Sequence, residues 1–212
     1  RVGIDVEDFT YRTPRTDRGD EIRVLCVANL VPVKGHDVLV DALGSIRDRH
    51  PGLRVRLVGE GPERANLERR ITNAGLQDVV TLVGGLPRPE VARELAAADV
   101  FVLPSRAEAT PVALMEAQAC GLPVIATQVG AVHEVIVPGE SGVLVAPGDV
   151  AALARALDAL ASAPETWSAM GETGRRHVKA TFHLPALVEQ LEVIYREARE
   201  SHRSTSSGRA SS

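Results

Sequence analysis

Aromatic side chains make up only 3% of this 212-residue chain. So few rings build neither a base-stacking platform for single-stranded nucleic acid nor a stacked-ring carbohydrate surface. Cysteine is scarcer still. Cys26 in an expected strand and Cys120 at an expected helix end have no metal-ligand spacing and make no disulfide framework, which fits a reducing compartment. No Lys/Arg run is long enough to offset a formal net charge of −4, so no long-range attraction draws nucleic acid or an anionic bilayer to the chain. Nucleic acid is not expected as a partner. The apolar runs are too short to span a bilayer and the stretch Arg1 to Thr10 has no signal-peptide core, so we expect no anchor and no export. Three catalytic or cofactor patterns are also missing. There is no GxSxG elbow, His133-Glu134 lacks the second histidine of a zinc-binding HExxH, and GEGPER from Gly59 lacks the third glycine of a dinucleotide fingerprint. No metal site is assigned.

What is present is a regular alternation of apolar runs and helical periodicity. Strands are expected at Ile22 to Ala28, Leu53 to Val58, Val79 to Val83, Val100 to Leu103, Val124 to Ala126 and Gly142 to Val145, each a short run closed by turn residues. Helices are expected at His36 to His50, Pro62 to Ala74, Pro89 to Ala98, Pro111 to Cys120 and Asp149 to Ala161. A further helix starts at Pro164, and a last one spans Pro185 to Glu200 with Leu187, Leu191 and Ile194 as an apolar stripe. This order implies an α/β domain, a doubly wound, Rossmann-like parallel sheet of about six strands with helices on both faces and further helices at the carboxyl end. Residues 1–20 read as a lead-in, 21–200 as the domain, and the Ser-rich 201–212 as a disordered tail.

The densest chemistry lies between Pro104 and Thr127. Glu108 falls in the loop after a buried strand, and Glu116 falls inside the following helix. Thr110-Pro111 reads as a helix start with the threonine hydroxyl as cap. A helix start presents free N–H groups and partial positive charge, which suit phosphate, while carboxylates suit sugar hydroxyls. A sugar nucleotide offers both. Lys34, beside Gly35 in the loop after the first strand, is placed to meet a diphosphate. The loops Asn29 to Gly35, Gly59 to Gly61, Leu82 to Gly85 and Gly130 to Glu134 all fall at the same carboxyl edge of the sheet, where open α/β sheets bind ligands.

In this order, NLVPVKG, VGEGP, VFVLPS, two glutamates with seven residues between them, EAQACGLPVIAT, VGAVHEVI and SGVLVAPGD resemble the carboxyl-terminal half of family-four retaining glycosyltransferases of the GT-B architecture. The similarity runs from Val2 to about Tyr195, so the chain looks like half an enzyme. The resemblance implies that Glu108 contacts the transferred sugar and that Lys34 neutralises the departing diphosphate. Glu116 would bind ribose hydroxyls, and Leu82 to Gly84 would line the base pocket, with Gly59 and Gly61 nearby. It implies a UDP- or GDP-linked sugar as donor, no metal and no other cofactor. A glycan or lipid-linked acceptor would be held by an amino-terminal domain, in the cytoplasm at the inner face of the plasma membrane, in cell-envelope polysaccharide synthesis. There are departures. Asn29 stands where the family usually has arginine, and Ala109-Thr110-Pro111 replaces a Gly-Phe-Gly-like turn, which moves amide donation to Val112 and Ala113 and lets Thr110 compete for it. Two other readings stay open: a non-catalytic nucleotide-sugar-binding module, and a sugar-nucleotide 2-epimerase on the same scaffold.

Overall fold

A computed structural model of the chain describes residues 3–11, 19–185, 188, 189, 192 and 195. All six expected strands form: β1 (Ile22–Val27), β2 (Leu53–Val58), β3 (Val80–Gly84), β4 (Val100–Leu103), β5 (Val124–Thr127) and β6 (Gly142–Val145). They pair in parallel in the order β3-β2-β1-β4-β5-β6. The helices are α1 (His36–Gly44), α2 (Arg64–Asn73), α3 (Arg88–Ala97), α4 (Val112–Ala119), α5 (Val132–Val135), α6 (Val150–Ser162) and α7 (Trp167–Phe182).

Two apolar layers sandwich the sheet because alternate side chains of a strand point to opposite faces. Val24, Cys26, Val100 and Val102 pack with α1, α2 and α6, whereas Leu25, Phe101 and Leu103 pack with α3, α4 and α5. The long α7 joins both layers, with Trp167 and Met170 in the first and Val178 and Phe182 in the second. Fully burying a side chain such as Phe101 contributes about 1.5–3 kcal/mol.

Several expectations need correcting. The helix from His36 ends at Gly44, not His50, and Ser45 and Ile46 then donate to the carbonyls of Ala42 and Leu43 in tighter turns. Pro164 opens a 3-10 turn, Pro164–Thr166, ahead of α7. The stretch 1–20 is more than a lead-in. Ile4, Val6 and Phe9 are buried against the second layer, and Ile4 bridges His183. Residues 184, 185, 188, 189, 192 and 195 are helical, while Leu187, Leu191, Ile194 and the tail 201–212 lie outside the described residues.

Candidate functional site

From β1 the chain winds through β2 and β3 toward one edge of the sheet, then returns to β4 on the other side of β1 and continues to β6. The loops after β1 and β4 therefore diverge from adjacent strands, and a crevice opens between them. Lys34 is on the first loop and Glu108 on the second. Lys34 Nζ donates to Glu108 Oε1 at 2.7 Å across this crevice. The Glu108 side chain is 6% exposed and that of Lys34 25%, so the pair is screened from bulk water yet open on one side. Ser105 Oγ also donates to Oε1, at 2.6 Å, and the Ser105 carbonyl in turn accepts from Thr127 Oγ1. Oε1 is thus held by two protein donors. Oε2 accepts nothing among the described residues and is free for a ligand hydroxyl.

Arg106 fastens the two loops together. Its guanidinium makes a two-pronged contact with Asp37, at 2.8 Å on each arm, and its amide and Nη1 donate to the carbonyls of Val33 and Pro32 at 2.7 Å. Arg106 holds the Asp37 carboxyl below its ordinary pKa. Glycine allows the remaining contacts. Gly35, at φ +68°, would place a Cβ 2.1 Å from the Pro104 carbonyl oxygen, and Gly130, at φ +50°, would place one 1.7 Å from that of Glu108. Gly59 and Gly61 lie equally close to the carbonyls of Ala28 and Leu30. These four glycines let backbone meet backbone, and for Gly35 that replaces the expected approach to phosphate.

The start of α4 differs from expectation. Thr110 does not cap it; the N-cap residue is Pro111, with no side-chain bond to the helix. Pro111, at φ −83° and ψ 70°, forms an inverse γ-turn in which Val112 N–H donates to the Thr110 carbonyl at 3.0 Å. Val112 is therefore already occupied. Leu114 and Met115 donate to the Pro111 carbonyl, which leaves Ala113 as the first-turn amide with no backbone partner among the described residues.

Glu116 sits on the second turn of α4, half-buried, and its carboxylate makes no hydrogen bond among the described residues. Burial raises its pKa, opposed only in part by the charge of Arg88. The folded state therefore holds this proton more tightly than the unfolded chain does. The penalty for the charged form is absent at acid pH and grows as pH rises through the raised pKa. Glu116→Gln is accordingly expected to raise the thermal midpoint at pH 7 and to leave it unchanged at pH 4. Melting curves at the two pH values test this, and an equal midpoint at pH 7 would contradict it.

The other flank of the crevice holds Leu82, half-buried, and Gly84, whose carbonyl accepts from Gly59 N–H at 2.9 Å. Arg64 reaches in from α2 to the Leu82 carbonyl at 3.4 Å and to Glu60 at 3.1 Å. Asn29 is exposed, with no side-chain hydrogen bond among the described residues. Reading the sequence missed Ser105, Asp37 and Arg106, since none stands in a chemical pattern. It also missed His36, which is buried with neither ring nitrogen bonded among the described residues and whose pKa burial pushes down to about 4.

Burial pushes the thiols of Cys26 and Cys120 up to about 12, so both are unreactive packing groups at neutral pH. Among the described residues no group of three or more His, Cys, Asp or Glu could hold a metal ion, and no helix is long and apolar enough to cross a membrane.

Comparison with known proteins matches residues 8–177 to the family model of the glycosyl transferases group 1. A GDP-mannose-dependent alpha-(1-6)-phosphatidylinositol monomannoside mannosyltransferase of Mycolicibacterium smegmatis is 36% identical over 187 residues, covering 82% of this chain and 49% of that protein. A D-inositol 3-phosphate glycosyltransferase of Pseudarthrobacter chlorophenolicus is 38% identical over 179 residues, covering 80% and 43%. The solved sucrose-phosphate synthase of Thermosynechococcus elongatus superposes with a TM-score of 0.83 at 32% identity, over 94% of this chain and 52% of that one. The chain spans about half the length of the curated relatives it matches.

Proposed function

The chain belongs to the glycosyl transferases group 1, and from that premise we propose that it is the donor-binding half of an enzyme that transfers a sugar from a nucleoside diphosphate with retention of configuration. The observation that carries the reading is the Lys34–Glu108 pair, set across the sheet's switch point with one carboxylate oxygen and part of the ammonium unoccupied by any described residue.

Each group then has a task. Lys34 meets the diphosphate and stabilises the charge that builds on it as the glycosidic bond breaks, where such charge-assisted bonds are worth about 1.5–3 kcal/mol. Ala113 N–H adds a neutral donor at the start of α4. Glu108, fixed by Ser105, accepts from the sugar through Oε2 and supports an oxocarbenium-like transition state on the face the nucleotide leaves. Glu116 receives the ribose hydroxyls, and the binding of two donors there offsets the cost of a half-buried carboxylate without a partner. Leu82 and Gly84 form the wall for the base. No divalent cation is required, since Lys34 and the helix start neutralise the leaving group.

The donor base is uracil or guanine; the Mycolicibacterium relative is named as GDP-mannose-dependent. The acceptor, a glycan or a lipid-linked sugar, would be bound by a preceding domain at the cytoplasmic face of the membrane, so this chain alone binds donor without efficient transfer. Asn29 supports a second reading, a module that binds nucleotide sugar without transferring it, because a neutral residue here leaves Lys34 without a second cation on the same loop.

Incubating the full-length protein with UDP- and GDP-hexoses, and reading the anomeric proton of the product by NMR, tests the proposal. The expected product keeps the anomeric configuration of the donor. An inverted product would overturn the mechanism, and no product with any donor would leave the binding-module reading in its place.

A further inference from the structure

The second strand carries a pattern that the proposed reaction does not use. β2 reads Leu-Arg-Val-Arg-Leu-Val, with one face of it buried and Arg54 and Arg56 on the other. A strand covered by helices on both faces reads as a nearly continuous apolar run; the alternation here marks the amino-terminal part of one face as unfilled by the second apolar layer, which Val58 rejoins. In the parallel register Arg54 lies beside Arg23, and Arg56 beside Leu25 on one side and Thr81 on the other. With Arg93 and Glu94 on α3, these side chains line a cavity of about 710 Å³, within the usual size range of small-molecule sites.

The cavity lies at the amino-terminal half of β1 and β2, whereas Lys34 and Glu108 follow the carboxyl ends of their strands. In an all-parallel sheet these are opposite edges, so this cavity is separate from the crevice. Its charge is distinctive too. Among the described residues four arginines and two glutamates line it, in a chain of net charge −4. Arg56 is held by Glu94 in a two-pronged pair at 2.6 and 2.7 Å, and Arg23 is held by Glu21 at 2.7 Å. Among the described residues the other two pair with no carboxylate. Arg54 uses only Nη1, on the carbonyls of Pro51 and Leu53, and Arg93 makes no hydrogen bond or ion pair among the described residues. Arg23 and Arg54 stand side by side on neighbouring strands, and Glu21 offsets the Arg23 charge but not that of Arg54.

We propose that this cavity binds a phosphate monoester, with Arg54 and Arg93 as its principal ligands. The guanidinium fork matches a phosphate dianion in shape and charge. The apolar wall from Leu25 and Ala97 then accommodates the organic part of the ligand. The same chemistry is offered by a soluble phosphorylated metabolite and by a phospholipid headgroup.

The test is a titration of the chain with inorganic phosphate followed by ¹H–¹⁵N NMR, in the wild type, in Arg54→Gln and Arg93→Gln singly and together, and in Lys34→Ala. The amides of Gly52 and Ala97 are expected to shift and saturate, with affinity about tenfold weaker in the double variant and unchanged in Lys34→Ala. Shifts confined to Gly35 and Ala113 would mean that only the crevice binds phosphate, and would overturn the proposal. So would cavity shifts undiminished in all three arginine variants, whose folding is checked by their spectra. Sedimentation with phosphatidylcholine vesicles, with and without phosphatidic acid, identifies the source. Capture that needs phosphatidic acid and Arg54 assigns a lipid headgroup, and no capture alongside the NMR shifts assigns a soluble ligand.

Discussion

Replacing Glu108 by alanine in the full-length protein is expected to lower turnover by about 10²–10³-fold, the magnitude typical of removing one preorganised group that faces the developing charge. The same change is expected to leave nucleotide affinity unchanged or higher. Glu108 holds Lys34 by a 2.7 Å bond, and its removal frees that ammonium for the diphosphate. A nucleotide has no transferred sugar and so loses no contact. Glu108→Gln keeps the shape but removes the charge, and should be nearly as slow as alanine. The expected signature is therefore a fall in kcat without a matching loss of nucleoside diphosphate affinity. Wild-type turnover in Glu108→Ala would remove Glu108 from the mechanism.

Gly35→Ala is expected to destabilise the fold by about 3 kcal/mol or more, at the upper end for a single substitution, through strain and overlap combined. The added methyl would sit 2.1 Å from the Pro104 carbonyl oxygen, at a φ of +68° that L side chains rarely adopt. Both the backbone and the neighbouring loop would have to move. Because that contact sets the spacing between the Lys34 and Glu108 loops, nucleotide binding should weaken along with stability. Gly44→Ala is the control, at the end of α1 with nothing within 4 Å of the added carbon, and should be neutral or stabilising by up to about 1 kcal/mol. Denaturant melts of both variants measure this. Equal midpoints for Gly35→Ala and the wild type would contradict the packing account.

The strands were legible because short apolar, mostly β-branched runs closed by turn or polar residues leave little alternative, and their spacing implied the parallel sheet. Both carboxylates and Lys34 were legible as single residues that follow the carboxyl ends of their strands. Their contact was not. Lys34 and Glu108 lie 74 positions apart and meet only because β4 returns to pair with β1 after the chain has run out to β3. Asp37 and Arg106 meet for the same reason. Local signals misled at helix ends, where geometry decides what hydrogen bonds form. Thr110-Pro111 has the composition of a cap, yet the turn at Pro111 uses the Val112 amide and leaves the threonine hydroxyl out. Likewise the periodicity after Gly44 suggested a longer helix, but the chain tightens there to enter β2. The arginines of β2 were visible as letters throughout. Their meaning depended on knowing which part of the sheet the second apolar layer leaves unfilled.

The central claim is that this crevice binds a nucleoside diphosphate through Lys34 and Glu116. Isothermal titration of the chain with UDP, GDP and ADP, repeated with Lys34→Ala and Glu116→Gln, tests it most directly. One nucleotide should bind, about ten- to a hundredfold more weakly without Lys34, as expected for a lost charge-assisted hydrogen bond, and measurably more weakly without the Glu116 charge. A folded chain that binds none of the three, or binds one with an affinity that neither substitution changes, would contradict the account.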